Sequence, residues 1–220
     1  MRWVREPATI DRAYDAFLAV SEREYWIPGD LDSKSDTSSV FDGRRELRGP
    51  RLPHKVHYGS CSFRLNSTHV FFSGGFDGRR SHSEAYLIEW ETKRWIRLPD
   101  MRQRRLYHGC NKAGGDIVVF GGLSSSHGWE PLTETYSFST NEWSLGGDLA
   151  LSHLDANTVY LPEEDTFLVF GGEKADSTDS KDILRYDPES KVFFAMEKKL
   201  SVGRSENVAI KVPEDFNCHA

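Results

Sequence analysis

A chain of 220 residues with 38% hydrophobic and 12% aromatic residues can form a packed domain, and this composition excludes an intrinsically disordered chain. Its 34 acidic and 28 basic residues give a net charge of −6, whereas a general nucleic-acid-binding protein needs excess positive charge to neutralise phosphates. No apolar run approaches the length of a membrane span. We therefore expect neither nucleic acid nor a membrane as a partner.

The N-terminal region predicts short strands in a degenerate first repeat, over about residues 8–50. The segment Tyr25-Trp26-Ile27-Pro28-Gly29 is an apolar run that ends in glycine, and Phe41-Asp42 resembles Tyr186-Asp187 later in the chain. The apolar spacing of residues 10–24 also tolerates a helix, and this alternative stays open. Trp3 resembles Trp95 in its flanking residues and predicts a further outer strand.

Three clearer repeats follow, at about 51–100, 101–148 and 149–199. Each contains an apolar run ending in a glycine pair, then a tyrosine, then a large aromatic residue. The distance from the first glycine of the pair to that last aromatic is 21, 22 and 22 residues, ending at Trp95, Trp143 and Phe193. Such regularity predicts one structural unit per repeat.

Each repeat predicts four β-strands. The second strand is apolar on both faces, as expected for a strand packed between neighbouring sheets, and its glycines permit close approach near a crowded axis. In the third repeat the predicted strands are residues 107–112, 117–120, 134–138 and 142–145. Residues 200–220 predict the start of a further repeat, with an inner strand at 208–212.

The pattern of an apolar run, Gly-Gly, Tyr and Trp at a period of about 50 residues resembles the kelch repeat. The resemblance implies an all-β fold, a β-propeller of four-stranded blades, in one domain spanning residues 1–220. About four blades are recognisable. The ring can be closed or incomplete, and the sequence leaves the native blade count open.

The cysteines and the N-terminus indicate the compartment. Cys61, Cys110 and Cys218 are far apart and have no CxxC spacing, which predicts no disulfide framework and no zinc site and favours a reducing, cytoplasmic location. The charged N-terminal segment lacks the apolar core of a signal peptide. The alternative is the extracellular part of a larger protein. Only there would the sequon at Asn66 matter, and the sequence leaves its glycosylation open.

Loops that follow the glycine pairs differ between repeats, as expected of loops that recognise a partner. The candidate contacts in the first two of these loops are Arg79, Arg80, His127 and Trp129. Trp129 is a plausible anchor because a large aromatic side chain is costly to leave in water. Each loop can equally be a plain solvated turn.

Basic groups recur in the turns between repeats, and in kelch-like propellers this turn lies near the mouth of the central cavity. Converging cations there would focus a positive potential on an acidic or phosphorylated peptide, with Arg105 and Arg204 as the leading contacts. The alternative is that these arginines hold the turn by binding backbone carbonyls or by pairing with Asp100 or Glu206. The full basic set is Arg12, Lys55, Arg105, His153 and Arg204.

No catalytic constellation, metal site or cofactor motif stands out. His54 and His57 could form a metal pair only on weak spacing, and the glycine pairs do not form a nucleotide-binding loop. We therefore expect a protein–protein interaction module, and not an enzyme. The resemblance implies substrate-adaptor roles, with ubiquitin-ligase or cytoskeletal partners. The alternative is a propeller enzyme or carbohydrate-binding domain that uses the axial cavity.

Overall fold

The computed structural model describes residues 18–21, 23–29, 36–148 and 154–205. Within these ranges every regular element is a β-strand, so they contain no helix that could cross a membrane. The strands form four antiparallel four-stranded sheets and one small two-stranded hairpin. The predicted all-β class is confirmed.

Strands follow the chain in order within each sheet, from the first to the last. The first sheet contains β1 (Leu18–Ala19), β2 (Tyr25–Pro28), β3 (Ser38–Phe41) and β4 (Glu46–Arg48). The second contains β5 (Tyr58–Arg64), β6 (His69–Phe76), β7 (Ala85–Glu89) and β8 (Arg94–Arg97).

The third sheet contains β9 (Gly109–Ala113), β10 (Asp116–Phe120), β13 (Leu132–Ser137) and β14 (Glu142–Asp148). Between its second and third strands lies the hairpin of β11 (Leu123–Ser124) and β12 (Gly128–Trp129). The fourth sheet contains β15 (Asn157–Leu161), β16 (Thr166–Phe170), β17 (Ile183–Asp187) and β18 (Val192–Ala195).

The sheets stack face to face in chain order, and their first strands lie side by side. Strand β1 contacts β5, β5 contacts β9, and β9 contacts β15. One apolar cluster fills each of the three gaps. Their central members are Trp26, Val40 and Phe72 in the first gap, Phe71, Leu87 and Ile117 in the second, and Val118, Phe120 and Phe167 in the third.

Neighbouring residues of a second strand face opposite gaps. Phe71 packs towards the third sheet and Phe72 towards the first, because successive side chains of a strand point to opposite faces. The same holds for Ile117 and Val118 of β10. This arrangement explains why the central residues of the second strands are apolar on both faces, and it is the packing expected between propeller blades.

The glycine pairs lie near the ends of the second strands, where the next turn of the chain passes directly over them. The amide of Gly75 donates to the carbonyl of Arg105 at 2.9 Å, and both Gly74 and Gly75 have positive φ, 62° and 92°. A Cβ atom at Gly74 would lie 2.6 Å from that same carbonyl oxygen. Glycine therefore provides both the backbone conformation and the space that this crossing needs.

The tryptophans of two fourth strands donate hydrogen bonds to the chain segment that precedes their own sheet. The indole of Trp95 donates to the carbonyl of Arg51 at 2.8 Å, and that of Trp143 to the carbonyl of Pro99 at 2.8 Å. Both bonds span 44 residues. Phe193 occupies the same strand position in the fourth sheet and has no N–H to make this bond.

Cys61 and Cys110 form a disulfide across 49 residues, so the expectation that the cysteines are unpaired was wrong. The first strands of successive sheets are neighbours, and this places Cys61 of β5 beside Cys110 of β9. Distance along the sequence hides such proximity. The predicted strands at Trp3 and residues 208–212 lie outside the described residues. Of the segment 10–24 that tolerated a helix, the structure describes residues 18–21 and 23–24, which contain strand β1 and no helix.

Candidate functional site

One end of the sheets holds the glycine pairs, the turns between sheets and the variable loops, and we call it the turn face. It comprises the turns 52–57 and 101–107 and the loops 76–82, 123–130 and 173–181. Backbone bonds join these segments: Leu106 and Leu123 exchange two hydrogen bonds, and Arg105 donates to the carbonyl of His82 at 2.9 Å. The turn 101–107 is thus bonded both to a loop of the second sheet and to a loop of the third sheet.

Arg105 is fully buried and cannot contact a partner, which corrects its assignment as a leading binding residue. Its guanidinium donates to the Glu134 carboxylate, with Nη2 at 3.0 Å from Oε1, and to the carbonyl of Gly121 at 2.7 Å. Glu134 is also fully buried, and it accepts the backbone N–H groups of Arg102 and Gln103. The alternative role, holding the turn through a backbone carbonyl, is the one observed, with Glu134 as the ion partner.

Arg204 takes the same backbone position as Arg105 but differs in exposure. The carbonyl of Arg204 accepts from Gly172 at 2.8 Å, as that of Arg105 accepts from Gly75, and the Arg204 side chain is exposed. Arg105 pairs with a carboxylate of the sheet that follows it. No sheet follows Arg204 within the described residues, so the equivalent carboxylate is not part of the described structure.

His54 occupies, in the turn that leads into the second sheet, the position that Arg105 occupies in the turn that leads into the third. Its Nε2 lies 3.3 Å from the carbonyl of Gly74, which matches the contact of Arg105 with Gly121. Lys55, the residue selected from the sequence, is exposed. Arg12 and His153 lie outside the described residues. A ring of converging cations is therefore not assembled from the members that the structure describes.

Aromatic side chains occupy the part of the turn face next to the first strands. The rings of Tyr58 and Tyr107 stack at a centroid distance of 5.4 Å, and Tyr58 also contacts Phe76 at 5.4 Å and His57 at 5.1 Å. All four side chains are partly exposed. We call these residues the aromatic cluster. The sequence analysis missed it, although both tyrosines lie at the start of a first strand: Tyr58 is the first residue of β5, and Tyr107 lies two residues before β9.

Tyr107 is held in place by its backbone. It has a positive φ of 56°, its N–H donates to the carbonyl of Gly59 at 2.8 Å, and its carbonyl accepts from Asp155 at 3.1 Å. A non-glycine residue in this conformation is uncommon and is stabilised by its surroundings. These bonds join the starts of three successive sheets. The sequence analysis expected converging cations in the turns between repeats, and the residues of these turns that lie beside the first strands include Tyr107 and Asp155.

The loop 76–82 presents two exposed arginines on a rigid frame. The carboxylate of Asp77 accepts the backbone N–H groups of Arg79 at 2.7 Å and Arg80 at 2.8 Å. Buried His82 lies between two carboxylates, with Nε2 at 3.2 Å from Asp77 and Nδ1 at 3.1 Å from Glu84. Both arginine side chains are exposed, so they remain candidate contacts.

Two histidines of the turn face are held neutral, the partly buried His54 and the buried His108. Burial, with a smaller effect of neighbouring His82, lowers the pKa of His54 to about 4. Burial, with a smaller effect of Arg105, lowers the pKa of His108 to about 3. The Nε2 atom of His108 lies 2.9 Å from the hydroxyl of Ser73 on the preceding sheet. These imidazoles connect framework segments and would resist protonation at neutral pH.

The loop 123–130 lies against the loop 76–82. Ser81 and Ser125 exchange hydrogen bonds, with each backbone N–H donating to the other hydroxyl at 3.0 Å. Trp129 pairs with Leu123 in the hairpin and is partly exposed, and His127 is exposed. The two loops therefore form one continuous surface beside the aromatic cluster. In the described part of the chain, no three His, Cys, Asp or Glu side chains group in a way that could hold a metal ion.

Comparisons with known proteins identify similar repeats. No protein-family model matches the sequence. An F-box/kelch-repeat protein of Arabidopsis thaliana is 35% identical over 96 residues, which cover 43% of this chain and 28% of the relative. Kelch-like protein 41b of Danio rerio is 27% identical over 134 residues, 59% of this chain and 22% of the relative. The matched regions thus cover less than a third of the length of each of these relatives.

A solved structure, that of YjhT, has the same architecture. It superposes with a TM-score of 0.67 at 13% identity, covering 88% of this chain and 68% of that protein. The curated relatives confirm the predicted resemblance to kelch-repeat proteins, and YjhT confirms the β-propeller fold.

Proposed function

We propose that this kelch-type β-propeller chain is a protein-interaction module that binds its partner through the turn face. The aromatic cluster supports this proposal most directly. Partly exposed aromatic side chains on a rigid frame are the residues that dominate binding energy at protein interfaces. The exposed arginines of loop 76–82 and Trp129 lie on the loops beside this cluster. Arginine at the rim favours an acidic segment of the partner.

Rigidity strengthens the proposal. Asp77 holds the arginine turn, Ser81 and Ser125 join the two loops, and backbone bonds hold Tyr107. A surface that is ordered before binding loses less conformational entropy on association. The function expected of this surface is therefore recognition. His82, which lies between the carboxylates of Asp77 and Glu84, gives no specific support for the catalytic alternative.

The class of partner follows from the compartment. A role as a ubiquitin-ligase adaptor or at the cytoskeleton, expected from the resemblance, stays a prediction, as does the cytoplasmic location. The Cys61–Cys110 disulfide favours the extracellular alternative, because disulfides persist in oxidising compartments. We therefore direct the search for a partner to extracellular and cell-surface proteins that present an acidic segment.

A matched pair of variants tests the proposal. The sequence Phe-Asp-Gly-Arg-Arg occurs twice, at residues 41–45 in the β3–β4 turn and at 76–80 on the turn face. The Arg79→Ala/Arg80→Ala variant removes the proposed contacts, and Arg44→Ala/Arg45→Ala removes the same charge from the opposite end of a blade.

The assay is quantitative mass spectrometry of cell-surface proteins that crosslink to the purified chain. We expect the turn-face variant and Trp129→Ala each to lower the yield of specific crosslinked partners by about five- to tenfold. The β3–β4 variant should retain them. Equal loss in both arginine variants would indicate nonspecific charge attraction, and equal retention would refute the proposed surface.

A further inference from the structure

The N-glycosylation sequon lies on an exposed, well-defined turn. Asn66, Ser67 and Thr68 form the tip of the β5–β6 hairpin, and all three side chains are exposed. The side-chain oxygen of Asn66 accepts from the backbone N–H of Thr68 at 2.9 Å, from the Thr68 hydroxyl at 3.0 Å and from the N–H of His69 at 2.8 Å. The acceptor and the hydroxyl residue of the sequon are therefore adjacent and accessible.

The disulfide provides an independent observation about the compartment. Cys61 belongs to the same hairpin as Asn66, five residues earlier in the chain, and it is bonded to Cys110 of the next sheet. Such bonds form in the secretory compartments of eukaryotic cells and are rare in the cytosol. N-glycosylation takes place in those same secretory compartments. Two unrelated features of one hairpin thus point to the same environment.

We propose that Asn66 is an N-glycosylation site and that the chain matures in an oxidising, secretory compartment. The inference extends beyond the binding function and does not depend on it. Loss of the crosslinked partners would leave this proposal unaffected, since Asn66 lies at the opposite end of the second sheet from the turn face.

The surroundings of Asn66 give the glycan a structural consequence. Asn66 lines an open groove of about 670 Å³ formed by the far ends of the second, third and fourth sheets, together with Leu65, Lys112, Phe138 and Tyr160. Phe138 is 42% exposed there. A glycan that begins at the rim would cover this apolar surface with sugar. The turn face would remain the open end of the propeller for a protein partner.

The test combines the protein from its own cells with variants expressed through a eukaryotic secretory pathway. Native protein is digested with and without peptide-N-glycosidase in ¹⁸O water, which leaves a labelled aspartate at each occupied asparagine. We expect the label at Asn66. In the recombinant full chain we expect a glycan on the wild type and on Ser67→Ala, and none on Asn66→Gln or Ser67→Pro. Ser67→Pro preserves the asparagine and the threonine but breaks the sequon, so it separates glycosylation from the turn contacts.

Thiol labelling of the native protein completes the test. We expect Cys61 and Cys110 of the denatured protein, in which buried thiols become accessible, to react with maleimide only after reduction. An unmodified Asn66 peptide in the native protein would overturn the glycosylation site. Labelling of both cysteines without reductant would overturn the compartment.

Discussion

Removing Arg105 should destabilise the fold without acting through partner contacts. Arg105→Ala leaves the Glu134 carboxylate buried with no cation, and it leaves the carbonyl of Gly121 without its side-chain donor. Loss of one member of a buried ion pair costs about 3–5 kcal/mol of unfolding free energy. For a chain of this size we expect Tm to fall by roughly 6–20 °C.

The size of this stability loss depends on which hydrogen bonds the Glu134 carboxylate retains. The backbone N–H groups of Arg102 and Gln103 still donate to the carboxylate, at 2.6 and 3.1 Å. These hydrogen bonds remain in place, but a carboxylate with no counterion in a dry interior is still costly. We therefore expect Arg105→Met/Glu134→Gln to lose less stability than the sum of the two single changes. The glutamine keeps one acceptor oxygen for these backbone N–H groups and places no uncompensated charge in the interior.

The control is the adjacent Arg104→Ala. Arg104 is exposed, and its one described side-chain bond is a 3.5 Å contact with the carbonyl of Ser81. Its removal should change the unfolding free energy by no more than about 0.5 kcal/mol. Urea unfolding followed by tryptophan fluorescence measures the wild type, Arg104→Ala, Arg105→Ala and the three proteins of the cycle, which are Arg105→Met, Glu134→Gln and the double variant. The reasoning is refuted if Arg105→Ala is as stable as Arg104→Ala, or if the double variant loses the full sum of the single losses.

Three further perturbations test the packing between sheets. Replacing Cys61 and Cys110 by serine should cost about 4 kcal/mol, the loop-entropy value for 49 residues, and unchanged urea unfolding would show that the crosslink is dispensable. The pKa of His108 lies at about 3 in the fold against 6.5 unfolded, so the unfolded chain binds the proton first and stability falls as pH drops below 6.5. Between pH 6.5 and 5 this residue should account for a loss of about 2 kcal/mol of unfolding free energy. The His108→Gln variant should therefore show a flatter dependence of unfolding free energy on pH, and an unchanged dependence would contradict a neutral buried imidazole. A Cβ atom at Gly109 would overlap the buried ring of Phe120, so Gly109→Ala should lower unfolding free energy by about 1–3 kcal/mol, and a neutral effect would show that the ring moves freely.

The strands of the third sheet show how much of the fold the local sequence predicts. The predicted strands 117–120 and 142–145 agree with Asp116–Phe120 and Glu142–Asp148 within a few residues. An apolar run sandwiched between sheets and an aromatic strand after a turn are local signals, so they can be seen without knowledge of neighbours. The glycine pairs were also predictable, since a backbone crossing needs a residue without a side chain.

The burial of the Arg105 side chain could not be predicted from the sequence of its own turn. Arg104 and Arg105 are identical residues at adjacent positions, yet one is exposed and the other is fully buried. The difference is set by Glu134, which is 29 residues away in the sequence and is brought beside Arg105 by sheet formation. The Cys61–Cys110 bond has the same origin. Long-range pairings of this kind follow from the blade stacking and not from residue type or spacing.

The repeated segment Phe-Asp-Gly-Arg-Arg separates local geometry from function. In both copies an aspartate accepts the N–H groups of the two arginines, and the aspartate N–H donates to the carbonyl of the second arginine at 3.2 Å. The local folds are the same because the same five residues form the same turn. Only the second copy lies beside the aromatic cluster, since it follows a second strand, whereas the first copy joins β3 to β4. A binding role therefore depends on the position of the segment within the blade, and this is why the two arginine pairs should differ in partner binding although they are equal in sequence, turn geometry and charge.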